Sequence, residues 1–452
     1  MKGFSRAALT MVAALGLAAC GSDSDTIEYS NLQVVHASSD APLANVWIND
    51  KSSLTGVDYG MGSGYMKLRE GMNSIQVDVQ LPGDETATVI PKAELDLDSD
   101  LNYNVFVVGD ADGSQNPVEP LVVTRSADSM ADANSLDVQV VHAASGVPAV
   151  DLYVTEPGAD LASATPLINL AYKASTDVLN IPASEYQVRL AVGDSVAFDS
   201  GTISLAANSN LTIAAIGTGD SNSTSPVKLL VLDGSGSSII EDMGSQAEVR
   251  VGHLVDGAPI VDVNVNGEAF GPLADLAFKE IRGYLGLDAG AYDIDVYVDG
   301  TTINPIIDVD GLMVAGGMDY SVYAVGVVSP AIDIEPLVVE DMRRAVATSA
   351  TLNVTHAAAN PVAEMVDIYL TTSVGIEGSD PTITNFAYRE SVKGLYVAAG
   401  TYYVTVTVAG NPDAVAIDSL PVDLMNGVVY QVVAIDDGNN GGFNLLVDDI
   451  TD

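Results

Sequence analysis

The chain has a single cysteine, Cys20, in 452 residues. No intrachain disulfide can form, so packing alone must hold the folded part together. It has one tryptophan, Trp47, and only 6% aromatic residues. That scarcity disfavours carbohydrate recognition through rows of aromatic platforms, and core or sheet-face packing is the expected job of Trp47. Basic residues are few: 17 Lys and Arg stand against 61 Asp and Glu, a formal net charge of −44. Such a surface repels phosphate, which excludes nucleic acid as a partner, and it will not dock electrostatically on an anionic bilayer. Charged residues are nevertheless only 17% of the chain and hydrophobic residues 48%, enough to build cores. Long helical periodicity is absent outside the first twenty residues. Histidine occurs four times.

Those four histidines share one phrase. His36 lies in "LQVVHASSDAPLANVWI", His142 in "VQVVHAASGVPAVDLYV", His253 in "VRVGHLVDGAPIVDVNV" and His356 in "LNVTHAAANPVAEMVDIYL". Successive histidines are 106, 111 and 103 residues apart. This period is domain-sized, beyond the roughly 20–50 residues of solenoid repeats, so each unit can own a core.

Two further landmarks keep the same register. "GAYDIDVYVDG" matches "GTYYVTVTVAG", "SEYQVRLAVGD" and, more loosely, "GMNSIQVDVQL". Tyr292, Ile294, Val296 and Val298 alternate with Asp293, Asp295 and Tyr297, the period of a half-buried strand. Each unit closes on two apolar runs around a Gly/Asp/Asn-rich turn, which reads as a hairpin. The expected fold is all-β: four tandem β-sandwich domains of immunoglobulin-like architecture, at residues 31–126, 136–234, 247–341 and 350–452. A closed barrel is the alternative. The short linkers between units, at residues 124–135, 233–247 and 340–350, imply beads on a semi-flexible string.

The start reads as an export signal: Lys2 and Arg6, an apolar run from Ala7 to Leu17 too short to span a bilayer, then small residues. Leu17, Ala18, Ala19 and Cys20 resemble the bacterial lipoprotein box. That resemblance implies cleavage after residue 19, lipid on Cys20 and a polar tether over residues 20–30. Several acyl chains would anchor the protein stably. Gly21 stands where an aspartate would imply inner-membrane retention, so the outer membrane is the expected address.

The phrase V-x-x-H-A, then proline, then V-D-[LIV]-Y-V resembles the bacterial domain-of-unknown-function 4397 family. Its members are exported, often tandem, and expected to be immunoglobulin-like. The resemblance covers all four units and implies no activity. The first unit departs with Asn45 in place of the aspartate, and the fourth lengthens the histidine-to-aspartate gap from nine to eleven. In this alignment Trp47 takes the place of Leu152, Val263 and Ile368 of the other units.

The repeated pairs are His36 with Asn45, His142 with Asp151, His253 with Asp262, and His356 with Asp367. In the structural reading, the histidine ends a strand, the proline marks the reversal, and the Asp or Asn opens the returning strand and accepts the imidazole N–H. A catalytic reading needs a nucleophile near the histidine, and no serine recurs there. A metal reading needs several converging ligands. An exposed histidine could sense pH. The acidic turns at 109–119, 219–223 and 436–442 suggest either tight-turn chemistry or calcium-stiffened loops, and residues 109–119 fail the EF-hand spacing. No other cofactor is expected, and neither a catalytic residue nor a metal ligand is assigned.

These observations point to a non-enzymatic, lipid-anchored envelope protein. Its modules would serve as a stalk or as binding units for a protein or polysaccharide partner. The alternatives are an enzyme or accessory subunit using the His–Asp pairs, and a calcium-stiffened spacer.

Overall fold

A computed structural model describes residues 27–128, 131–219, 223–328, 334–438 and 442–451. The export signal, Cys20 and most of the tether lie outside the described residues, as do parts of the acidic turns at 219–223 and 436–442.

The first module sets the pattern. Its strands are β1 (Tyr29–His36), β2 (Ala44–Ile48), β3 (Lys51–Val57), β4 (Met66–Arg69), β5 (Gly71–Leu81), β6 (Glu85–Leu97), β7 (Leu101–Val108) and β8 (Glu119–Ser126). They form two sheets, ordered β4-β1-β7-β8 and β3-β2-β5-β6. β1 runs parallel to β7, and the remaining neighbours are antiparallel. The alternation drives this arrangement. Leu32 and Val34 on β1 meet Val46, Val77 and Val105 between the sheets. Ser52 and Gln76, flanking Trp47 on the neighbouring strands, belong to the opposite face.

The other three modules repeat this order. The sandwich expectation therefore holds, with eight sheets in four pairs. No α-helix occurs among the described residues, which contain three short 3₁₀ turns. In the second module the strand Ser237–Ile240 joins the sheet beside Val227–Leu232. The expected boundary at 234 is therefore too early: part of the presumed linker is sheet.

Three modules each have one continuous core. The third module's core divides into two clusters around an apolar cavity of about 70 Å³. Its lining includes Val263, Val296 and Ile307. The second and fourth modules have the larger Leu152 and Ile368 in the place of Val263, whereas the first has the same types, Val46, Val77 and Ile90, in a continuous core.

The modules are not beads on a string. The sheet carrying the histidine strand has apolar side chains on both faces. Its outer face packs against the corresponding sheet of a neighbouring module. Val35, Phe106 and Val108 of the first module form one buried cluster with Val141, Ala214, Ile216 and Leu230 of the second. Leu254, Tyr323 and Val325 of the third do the same with Ala357, Val433 and Ile435 of the fourth. The shapes compensate within these pairs. Gly252 pairs with Tyr323 across neighbouring strands, and a Cβ on the glycine would lie 2.8 Å from the Tyr323 ring. In the first module Val35 pairs with Phe106 at the same place.

Candidate functional site

Each histidine ends its strand, as the motif predicts: His36, His142, His253 and His356 are the last residues of theirs. All four are 1% exposed. The acceptor differs from the expectation. The Nε2 atoms of His36, His142 and His253 lie 3.0 Å from the carbonyl oxygens of Pro42, Pro148 and Pro259. His356 Nε2 lies 2.7 Å from Ala363 O. A carbonyl only accepts, so Nε2 carries the proton. Nδ1 of His142 and His253 accepts weakly from the backbone N–H two residues on, at 3.4 Å. The ring therefore ties the strand end to the chain crossing between the sheets. The expected His–Asp bond does not form.

Burial explains the ring's charge state. Desolvation pushes His36 down to about 4, against a weaker raising effect of the Pro42 carbonyl. The other three are lowered for the same first reason. A neutral ring fixed to a backbone carbonyl is a structural tie.

The motif Asp or Asn opens the next strand, in the second sheet, and bonds locally. Asn45 Oδ1 accepts from Gly56 N at 3.0 Å, Asp262 Oδ1 from Asp275 N at 2.9 Å, and Asp367 Oδ1 from Asn385 N at 2.8 Å. Gly56, Asp275 and Asn385 all have positive φ. The side chain thus holds an edge-strand N–H where the backbone leaves the regular ladder. Asp367 also accepts from Gly410 N at 2.8 Å. Asp151 instead accepts from the Asn169 side chain at 2.8 Å.

A second repeated motif escaped the sequence reading. "VDYG", "LAYK", "LAFK" and "FAYR" recur after each histidine. Tyr59, Tyr172, Phe278 and Tyr388 set ring edges against the four imidazoles, with centroids 6.1–6.3 Å apart. The next residue, Gly60, Lys173, Lys279 or Arg389, has φ between 66° and 73° and donates its N–H to the histidine carbonyl. The signal was an aromatic followed by glycine or a cation in each copy.

Those cations reach across the module seams. Lys173 bonds Glu119 of the first module at 2.6 Å. Lys279 bonds Asp437 of the fourth at 3.1 Å, and Arg389 returns from the fourth module to Glu335 of the third. Other scarce cations join them. Arg125 donates to Leu211 O at 3.1 Å. Arg250, 2% exposed, donates to Ser321 Oγ, Tyr323 OH and Asp448 of the fourth module at 2.9–3.0 Å. Arg343 donates to Ile450 O at 2.9 Å and stacks 3.9 Å from the Tyr284 ring centroid. Burial raises Asp341, which accepts from Ser321 and Tyr284. Arg344 couples the two pairs of modules. It donates to Ala41 O at 2.9 Å and to Asp58 of the first module at 2.6 Å, and to Tyr396 OH of the fourth at 3.0 Å. The expected linker over residues 340–350 is therefore a packed joint.

The acidic turn at 109–119 is held by its neighbours as well as by itself, and Asp110 also accepts from Ser145 Oγ of the second module at 2.8 Å. Asp40 accepts from Ala111 N and Asp112 N at 2.8 and 2.9 Å, and Asp110 from Asn116 N at 3.0 Å. This is turn chemistry. Asp262, Asp275 and Asp299 converge within 4.8 Å on the third module, with Asp275 and Asp299 exposed.

Comparison with known proteins supports the repeat. The family model described as "Domain of unknown function (DUF4397)" matches residues 30–153, 137–240 and 247–369. The fourth module has the same topology, but only its first strands fall inside a match. No curated protein matches the chain. Among solved structures, the chain is similar to the Bacillus anthracis TIE protein at 10% identity and a TM-score of 0.15, covering 91% of this chain and 68% of that one. It is also similar to the pneumococcal glycogen-degrading virulence factor SpuA in its product complex, at 12% identity and a TM-score of 0.15. That match covers 63% of this chain and 38% of the other. With its repeats matched over most of their length, the chain belongs to the domain-of-unknown-function 4397 family.

Proposed function

We propose that this is a non-enzymatic envelope protein, held by lipid on Cys20, whose four modules form a stiff frame for binding an envelope or extracellular partner. One observation carries the reading. The histidine sheets are buried back to back in two pairs, so the opposite sheet of every module is left as an outer face on a braced support. A frame of this kind presents several faces at fixed spacing, which favours multivalent contact. The non-enzymatic reading draws support from the histidines: each ring is buried and bonded to a backbone carbonyl, not to its motif Asp or Asn.

The anchor is tested by labelling producing cells with radioactive palmitate and separating inner from outer membranes. Label in the wild-type outer membrane, lost in Cys20→Ser, supports the reading. A soluble, unlabelled wild-type protein overturns the anchor.

A further inference from the structure

We infer that the outer face of the first module carries a binding cleft for a neutral saccharide, built on Trp47. The inference deepens the binding reading above and rests on it.

The argument starts from register. Trp47 faces Gln76 on β5 and Ser52 on β3, while its neighbours Val46 and Ile48 are 0% and 4% exposed in the core. Trp47 is 36% exposed. Pairing places Asn45, Asp151, Asp262 and Asp367 at one position, so Trp47 corresponds to Tyr153, Asn264 and Tyr369. Aligning it with Leu152, Val263 and Ile368 is wrong by one residue, and in a strand one residue exchanges core for surface.

The first module alone leaves an aromatic open at this position. Asn49 and Asp50 turn β2 into β3 with φ of 52° and 61°, a two-residue hairpin with no length to fold back. In the second module a longer connection, residues 156–167, lies on the matching face: Gly158 N donates to Gln187 Oε1 at 2.8 Å and Arg189 to Ala159 O at 2.9 Å. In the fourth, Tyr369 is 5% exposed, and the longer connection returns to the sheet through Gly375 N to Ser419 Oγ at 3.2 Å. The third module has Asn264 there.

Beside Trp47 lies a cleft of about 280 Å³ lined by Asp50, Ser74, Gln76, Asp78 and Lys92. These groups are already ordered. Asp78 Oδ1 accepts from Gln76 Nε2 at 2.8 Å and Thr88 Oγ1 at 2.7 Å. Lys92 Nζ sits 2.6 Å from Asp50. An apolar ring face next to fixed carboxylates, an amide, a hydroxyl and an ammonium matches a pyranose. Its C–H face can lie on the indole, and its hydroxyls both donate and accept. A chain of net charge −44 opposes anionic glycans, so the ligand is neutral.

Trp47 is the only tryptophan, so its emission reports this cleft directly. The full chain carrying Cys20→Ser would be titrated with maltohexaose, cellohexaose, xylohexaose and chitohexaose. The expected result is a saturable change in Trp47 emission with at least one of them. Asp50→Ala and Lys92→Ala, both at exposed side chains, should weaken binding at least five-fold while moving the urea midpoint no more than loss of an exposed ion pair does. No saturable change with any of the four, or binding that neither variant alters, would overturn the cleft. Because the anchor is measured separately in membranes, that failure would leave the frame reading standing.

Discussion

The Lys279 ammonium of the third module lies 3.1 Å from the Asp437 carboxylate of the fourth. The contact is one of several that place scarce positive charge where two acidic modules meet. With 17 basic residues against 61 acidic ones, modules of this chain would repel one another at close range. Lys173, Arg250, Arg343, Arg344 and Arg389 all stand on seams or joints. Burial of apolar sheet faces supplies the attraction, and these cations offset the repulsion and fix the register.

Removing a buried seam cation should therefore cost far more than removing a surface one. Arg250→Ala leaves the buried Ser321 and Tyr323 hydroxyls without their donor and releases the half-exposed Asp448 to water, and should cost about 1–3 kcal/mol for each hydroxyl left unpaired. Lys92→Ala breaks an exposed pair and should cost about 0–1 kcal/mol. Urea unfolding of both variants, followed by circular dichroism, checks the difference.

The histidines predict loss of stability in acid. His36 is lowered from 6.5 to about 4 by burial. Between those values the unfolded chain binds a proton that the folded chain refuses. The stabilising contribution is thus complete above about pH 6.5 and lost as the pH falls towards 4, an effect on the order of 3 kcal/mol for this ring. Asp341 and Asp436 are raised by burial and act in the opposite direction, favouring the folded state as they protonate. The His36 contribution is isolated by comparing wild type with His36→Gln. Their urea midpoints should lie furthest apart near pH 7 and converge by about pH 4.5.

The motif acids should rank by what they hold. Asp367 is buried and accepts two backbone N–H groups, so Asp367→Ala should cost about 2–3 kcal/mol. Asp151 accepts one exposed side-chain amide, so Asp151→Ala should cost less than about 1 kcal/mol. Melting temperatures of the two variants give the order. Equal losses would remove the edge-strand role.

The third module should gain from filling its cavity. Val263→Ile restores the residue found at the matching place in the fourth module and should stabilise by about 1 kcal/mol. A calorimetric scan would show the rise in the transition that contains this module.

Much of the frame was legible because each copy repeats the same local physics. The histidine slot, the returning strand and the closing hairpin all follow from alternation and turn residues, and all are present. What escaped was long-range. "NVFVV" and "TIAAIG" are apolar on both faces, the mark of a sheet covered on both sides, yet they read as ordinary strands until Phe106 and Ile216 meet in one cluster. The histidine acceptor was missed because a backbone carbonyl leaves no trace in residue identity. Trp47 was placed one residue out because a gap-free alignment cannot say which of two adjacent positions faces water. Arg344 gave no warning at all, since its partners Ala41 and Asp58 lie some three hundred residues earlier.

The paired frame is tested most directly by small-angle X-ray scattering of the Cys20→Ser protein beside its Arg344→Ala variant. The account predicts that one rigid arrangement of four modules fits the first curve, and that the variant expands while each pair stays intact. A wild-type curve fitted only by four independently moving modules, unchanged by Arg344→Ala, would contradict it.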